Sequence, residues 1–217
     1  MLKYYLTIII ILLKIFVVHS QNSIDFPDTE KIKWEEKIYN DFKKFGIAKR
    51  QAEKIMYSVI DTFSVVESYL GDIASKYIPD QERKSLKTKV LEHFVSSKSK
   101  IQVKSLYRKT PRRYNISDYL DRLMDLAYYK VTLYFGNDYE VSKLKRNKPY
   151  KYEIPISVWQ YFIARNEEGS LIYSNKTLKT FFFRIDQLKY NWGIKINEIH
   201  AKEIKQFPII TTEKENK

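Results

Sequence analysis

The chain has 217 residues, with 39 Lys and Arg against 26 Asp and Glu, a formal charge of +13 and no Cys. The missing Cys excludes disulfides, thiolate metal sites and a lipid anchor through a processed Cys, while 44% hydrophobic residues and 18 Tyr separate the chain from disordered sequences. The basic balance favours acidic partners such as nucleic acid, anionic lipid or anionic glycan, although richness in Lys, Ile, Tyr and Asn also fits an A+T-rich coding bias that raises Lys without functional demand.

Lys3 supplies a positive start, Tyr4 to Val18 an apolar run interrupted by Lys14, and Val18-His19-Ser20 a small-x-small pattern. A helix that spans a bilayer needs about 20 largely apolar residues, so residues 1–20 are expected to be a signal peptide cut after Ser20. The protein is then exported, periplasmic or secreted; an N-terminal membrane anchor is the alternative. Loss of Lys3 and Lys14 takes the charge from +13 to +11, and nucleic acid falls to the last place among partners.

Residues 21–47 are expected to be a leader with a short helix from Trp34 to Phe45, broken at Gly46. The main domain follows over residues 48–206, and residues 207–217 form a flexible polar tail. Ala48, Ala52, Ile55, Met56, Val59, Ile60, Phe63, Val66, Leu70, Ile73, Ala74 and Tyr77 recur at steps of three and four, which predicts a long amphipathic helix weakened at Gly71 and stopped by Pro79. Asp80 can cap the next helix, whose apolar face holds Leu86, Val90, Leu91, Phe94 and Val95. A third helix opens at Asn115 or Ser117, with Asp121, four residues after Ser117, taken as its capping partner.

From Tyr128 the texture becomes aromatic and β-branched, which predicts strands at 128–135, 150–165, 170–185 and 192–204, joined by a polar loop and two turns. Pro155 calls for an edge position or a bulge. In "FFF", Phe181 and Phe183 share one face and Phe182 takes the other.

The order of helices first and then long antiparallel strands is an α+β pattern. The closing stretch "LIYSNKTLKTFFFRIDQLKYNWGIKINEIHA", with Trp192 at the start of the last strand, resembles the last hairpin of the NTF2-like (SnoaL-like) superfamily. "ISDYLDRLMDLAYYKVTLYF" resembles that superfamily's last helix leading into its first long strand. The resemblance implies N-terminal helices packed on a curved antiparallel sheet of about four strands. It also implies a cavity that suits proton abstraction beside a carbonyl, with Tyr119, Trp159 and His200 near it. The superfamily contains enzymes and non-catalytic binding modules alike, so fold does not fix function.

No HExxH spacing is present, and five scattered Gly make no phosphate loop; no cofactor and no metal are expected. His93 and His200 belong to no motif, and Asp118, Asp121 and Asp125 read as the solvated face of a helix. Two basic runs stand out. Lys98, Lys100, Lys104, Arg108, Lys109, Arg112 and Arg113 form the first, interleaved by Tyr107 and Tyr114; Lys145, Arg146 and Lys148 lie in the second. On one side of the molecule they would make a positive patch; the other reading is a pair of solvated loops. The expected function is a non-catalytic binding or assembly protein of the cell envelope, with an anionic component or a protein as partner. Peripheral membrane contact, a small apolar ligand and a homodimer are further options. A small cavity-type lyase or isomerase is the first alternative, and an intracellular nucleic-acid binder the second.

Overall fold

A computed structural model describes residues 36–206 other than Tyr190. The expected signal peptide and tail lie outside the described residues. Among those described, no helix is long and apolar enough to cross a membrane.

Four helices, α1 (Glu36–Lys44), α2 (Lys49–Ile73), α3 (Asp80–Glu92) and α4 (Ile116–Met124), accompany seven strands. The strands are β1 (Lys100–Val103), β2 (Arg112–Asn115), β3 (Lys130–Val141), β4 (Lys145–Lys148), β5 (Lys151–Arg165), β6 (Leu171–Gln187) and β7 (Trp192–Gln206). They form one curled sheet in the order β2-β1-β7-β6-β5-β3, with β4 also on β5. The α+β layout expected from the sequence is present, with seven strands in place of about four. The additional strands come from segments whose composition reads as loop. Residues 100–115 hold the antiparallel pair β1–β2, and β1 runs parallel to β7. The second basic run forms β4.

Pro155 sits inside the sheet, opposite Phe182 of β6, and needs neither an edge strand nor a bulge of its own. On its other side β3 stops pairing at Ile156 and β4 begins at Glu153. Ser142 donates its N–H to the Pro155 carbonyl at 2.9 Å. The missing N–H thus faces the gap between the end of β3 and the start of β4, where no ladder bond is lost.

The extra residues curl the sheet. Register shifts leave Ile172 unpaired in β6, and Asn197 and Lys202 unpaired in β7, while two extra residues enter β3 between Phe135 and Tyr139. Each bulge adds local twist and bend. The helices fill the concave side. Phe63 of α2 meets Phe135, Phe181 and Phe183 edge-on at 5.4, 4.7 and 4.9 Å between ring centroids. Phe181 and Phe183 are buried and Phe182 lies on the opposite face, as the alternation requires. Gly71 is buried where α2 crosses β3: a Cβ there would stand 3.4 Å from the Val131 carbonyl oxygen. Beside it Ser75 accepts the Val131 N–H at 2.8 Å and donates to the Gly71 carbonyl at 2.7 Å. The glycine that weakens the helix in sequence is where the helix packs against the β3 backbone.

Two capping expectations are corrected. Pro79 is the N-cap of α3, and Asp80 is its first residue, bonded to Arg83. Asn115 is the N-cap of α4 and its amide donates to Asp118 at 2.9 Å, so the Ser117–Asp121 capping pair does not form. Asp121 pairs with Lys87 instead.

A candidate ligand cavity under the fourth helix

Helix α4 is held over one end of the sheet from two sides. Arg83 of α3 donates to the Met124 carbonyl at 2.8 Å, and Lys87 reaches Asp121. Ile116 and Leu120 of α4 are fully buried against the core. Between α4 and the concave face lies a cavity of about 240 Å³. Leu123 and Leu126, Val103 at the end of β1, Phe162 of β5 and Tyr173 of β6 form its apolar wall.

Its polar lining comes from strand alternation. Gln160 pairs with Thr177 in register, and Val158 pairs with Lys179, so Gln160, Thr177 and Lys179 all face inward with Ile156, Phe181 and Phe183. Lys179 is 4% exposed and Gln160 5%. The Lys179 ammonium has neither an ion-pair nor a hydrogen-bond partner among the described residues. Its Nζ lies over the Tyr119 ring, 5.9 Å from the centroid. Burial pulls its pKa from 10.5 down to about 8. Burial pushes the Tyr119 hydroxyl well above its usual range, which keeps it a neutral donor. The Gln160 side-chain nitrogen is buried with no hydrogen-bond partner among the described residues.

The charge of the lining is one-sided. Lys104 and Arg122 line the cavity with Lys179, and no Asp or Glu does. Arg122 spreads over the Tyr114 ring at 4.6 Å, and Lys104 donates to the Lys202 carbonyl at 3.0 Å. Asn175 donates to the Tyr173 hydroxyl at 2.8 Å. A buried amine with no counter-ion among the described residues, an orphaned amide N–H and two further cations give a lining that complements a negatively charged or oxygen-rich group. The apolar wall suits a small hydrophobic body.

Of the three residues expected near the cavity, Tyr119 lines it. Trp159 and His200 are turned the other way, because odd positions of β5 and the partners of even positions of β6 point to the convex face. There Lys176 and Lys205 lie 5.1 and 5.4 Å from the Trp159 ring. Beside them Tyr134 and Tyr161 stack at 4.6 Å. His200 touches the Phe182 ring at 4.7 Å and Glu198 at 3.1 Å.

The two basic runs lie at opposite edges of the sheet, with β7, β6 and β5 between β1 and β4. In the first, Lys104 reaches the cavity, Lys100 bonds Asn115 at 2.6 Å and Arg113 pairs with Glu198 at 3.1 Å. Lys98, Arg108, Lys109 and Arg112 are exposed, as are Lys145, Arg146 and Lys148 on β4. Among the described residues no group of three His, Cys, Asp or Glu is placed to hold a metal ion.

Lys179 and Gln160 escaped sequence reasoning. A signal was there: "LKTFFF" and "ISVWQYF" put a lysine and a glutamine in step with the in-facing Phe and Val positions of their strands.

No family model and no curated protein matches the chain. Solved structures do resemble it in layout. A protein from Kribbella flavida shares 14% identity at a TM-score of 0.42, over 71% of this chain and 95% of its own. A hexachlorocyclohexane dehydrochlorinase of Novosphingobium barchaimii shares 9% at 0.39, over 71% and 94%. The arrangement described above, helices laid into the hollow of a curled and largely antiparallel sheet, is the α+β fold class expected from the sequence.

Proposed function

We propose that the chain is a binding protein whose site is the cavity under α4, and that its ligand is a small amphiphile with one carboxylate or equivalent anionic head. The observation that carries this reading is Lys179, a buried amine that opens onto a cavity with an apolar wall and has no counter-ion among the described residues. An unpaired buried charge costs several kcal/mol, roughly, and the group sheds part of that cost by lowering its pKa. A ligand carboxylate supplies the missing partner. Near pH 7 the amine is still mostly protonated, since its pKa is about 8. The Gln160 N–H group adds a second donor, and Lys104 and Arg122 bring positive potential to the lining, which draws anions in.

At about 240 Å³ the cavity is smaller than the roughly 300–1,000 Å³ of pockets for drug-sized molecules. A single-ring or short-chain acid fits it. The β1–β2 arm then has a role: it supplies Val103, Lys104 and Tyr114 to the lining, so the first basic run serves the cavity. Export through residues 1–20 is part of the proposal, and it would place such a binder in the cell envelope or outside the cell.

The test is calorimetric titration with benzoate. Binding is expected in the unmodified chain and lost, by roughly tenfold or more, in Lys179→Met. Lys179→Arg, which keeps the charge, is expected to retain more affinity than Lys179→Met. No heat of binding, or equal affinity in all three proteins, overturns the reading.

A further inference from the structure

We propose that Lys179 is also a covalent site, an amine that condenses with the carbonyl of a small apolar aldehyde or ketone held in the cavity under α4. The inference rests on the reading of that cavity as a ligand site and goes one chemical step further. Three features of the geometry carry it.

The amine is alone. No carboxylate lines the cavity, and Lys179 has no ion pair among the described residues, so nothing holds it in the protonated form. The amine is also sheltered, because only 4% of the residue is exposed and Leu123, Leu126 and Phe162 stand in the same lining. Lysines of this kind act as carbonyl nucleophiles when an apolar site or a neighbouring cation lowers their pKa. Finally, two hydrogen-bond donors share the lining with the amine: the Gln160 amide, unpaired among the described residues, and the Tyr119 hydroxyl.

The step balances without any outside oxidant or reductant. The lone pair of the neutral Nζ attacks the carbonyl carbon, a C–N bond forms, and the C=O π pair moves onto oxygen. The C–O bond of the carbinolamine then breaks. Both amine hydrogens leave with the oxygen as one water, and an imine remains on Lys179. Tyr119, neutral through burial, is placed in the lining as a proton donor to the departing oxygen.

The experiment uses benzaldehyde, which has the body of benzoate and a reactive head. The full chain is incubated with it at pH 8.5, reduced with sodium borohydride, and followed by intact mass and peptide mapping. The expected result is one benzyl group per chain, on Lys179, at aldehyde concentrations where exposed lysines stay unmodified. Excess benzoate should suppress it and Lys179→Arg should abolish it. The initial rate should level off above the amine's pKa of about 8, well below the 10.4 or so of an ordinary lysine. Adducts spread over exposed lysines with no preference for Lys179 overturn the inference. If benzoate still binds and still depends on Lys179, the cavity reading stands and the covalent step alone falls. If benzoate does not bind either, both fall.

Discussion

Lys179 and Tyr119 meet across one cavity, the ammonium nitrogen 5.9 Å from the centre of the phenol ring. They come from different layers, β6 and α4, and neither has an anionic neighbour in the cavity lining. A cation over a ring face recovers roughly 0.5–2 kcal/mol, less than the cost of burying the charge. The site is therefore built at the expense of stability, which gives it a measurable signature.

Replacing Lys179 by Met should stabilise the protein at pH 7. The folded pKa lies near 8 against 10.5 for the free side chain, so the unfolded chain binds the proton more tightly. The penalty is complete below pH 8, shrinks as pH rises from 8 to 10.5, and is absent above. It amounts to about 3 kcal/mol at most. Urea denaturation of both proteins at several pH values should show Lys179→Met more stable at pH 7, with the gap narrowing toward pH 10.5. A gap independent of pH would mean that the amine is not held in a desolvated site.

Glu67 is the opposite case. Burial in α2 raises its pKa from 4.5 to about 7, although it accepts the Phe135 N–H. The folded state binds this proton more tightly, so its contribution is fully present below pH 4.5 and is lost as pH rises through 7. Glu67→Gln keeps an acceptor for the Phe135 N–H and removes the titration. Relative to the unmodified chain it should be more stable at pH 8, by about 3 kcal/mol at most, and nearly equal at pH 4.5. Chemical denaturation at the two pH values reads this directly.

Gln160→Leu should leave stability unchanged or raise it by about 1 kcal/mol, because it removes an unpaired buried amide. The same change should weaken benzoate by roughly tenfold, the worth of one hydrogen bond to a charged group. Thermal melts and calorimetry on one preparation separate the two effects. Equal losses in both would mark Gln160 as packing only.

The convex face supplies the control. Trp159→Ala removes the ring between Lys176 and Lys205, and His200→Ala removes a contact to Phe182. Both should leave benzoate affinity within a factor of about two, because these side chains are separated from the cavity by the sheet itself. A large loss of affinity in either would show that the two faces communicate.

Much of the architecture is legible in the chain. The three-and-four spacing through Ile55, Val59, Phe63, Val66 and Leu70 marks the core face of α2, and all five are buried. The aromatic strands announce β5, β6 and β7 by their alternation. The misses have physical reasons. β1, β2 and β4 are four residues each; β2 and β4 carry no apolar alternation, and the Ile101 and Val103 alternation of β1 is too short to stand out in a basic segment, so their neighbours define them as strands. Pro155 misleads because its effect depends on which partner strand happens to stop beside it. The pairing of Trp159 and His200 with the cavity failed on parity: they sit one residue away from the in-facing Gln160 and Ala201, and one step along a strand is a change of face. Lys179 is illegible from residue type alone, because a Lys is nearly always at the surface, though its place in the Phe181 and Phe183 series points inward.

The most direct test of the central claim is proton linkage. Benzoate binding should be measured by calorimetry at pH 8.5 in two buffers of different ionisation enthalpy. If the carboxylate sits on Lys179, it raises the amine's pKa, and binding takes up a proton; the observed heat then differs between buffers in the unmodified chain and not in Lys179→Arg or Lys179→Met. Binding with no buffer dependence, or uptake that survives in Lys179→Met, would contradict the account.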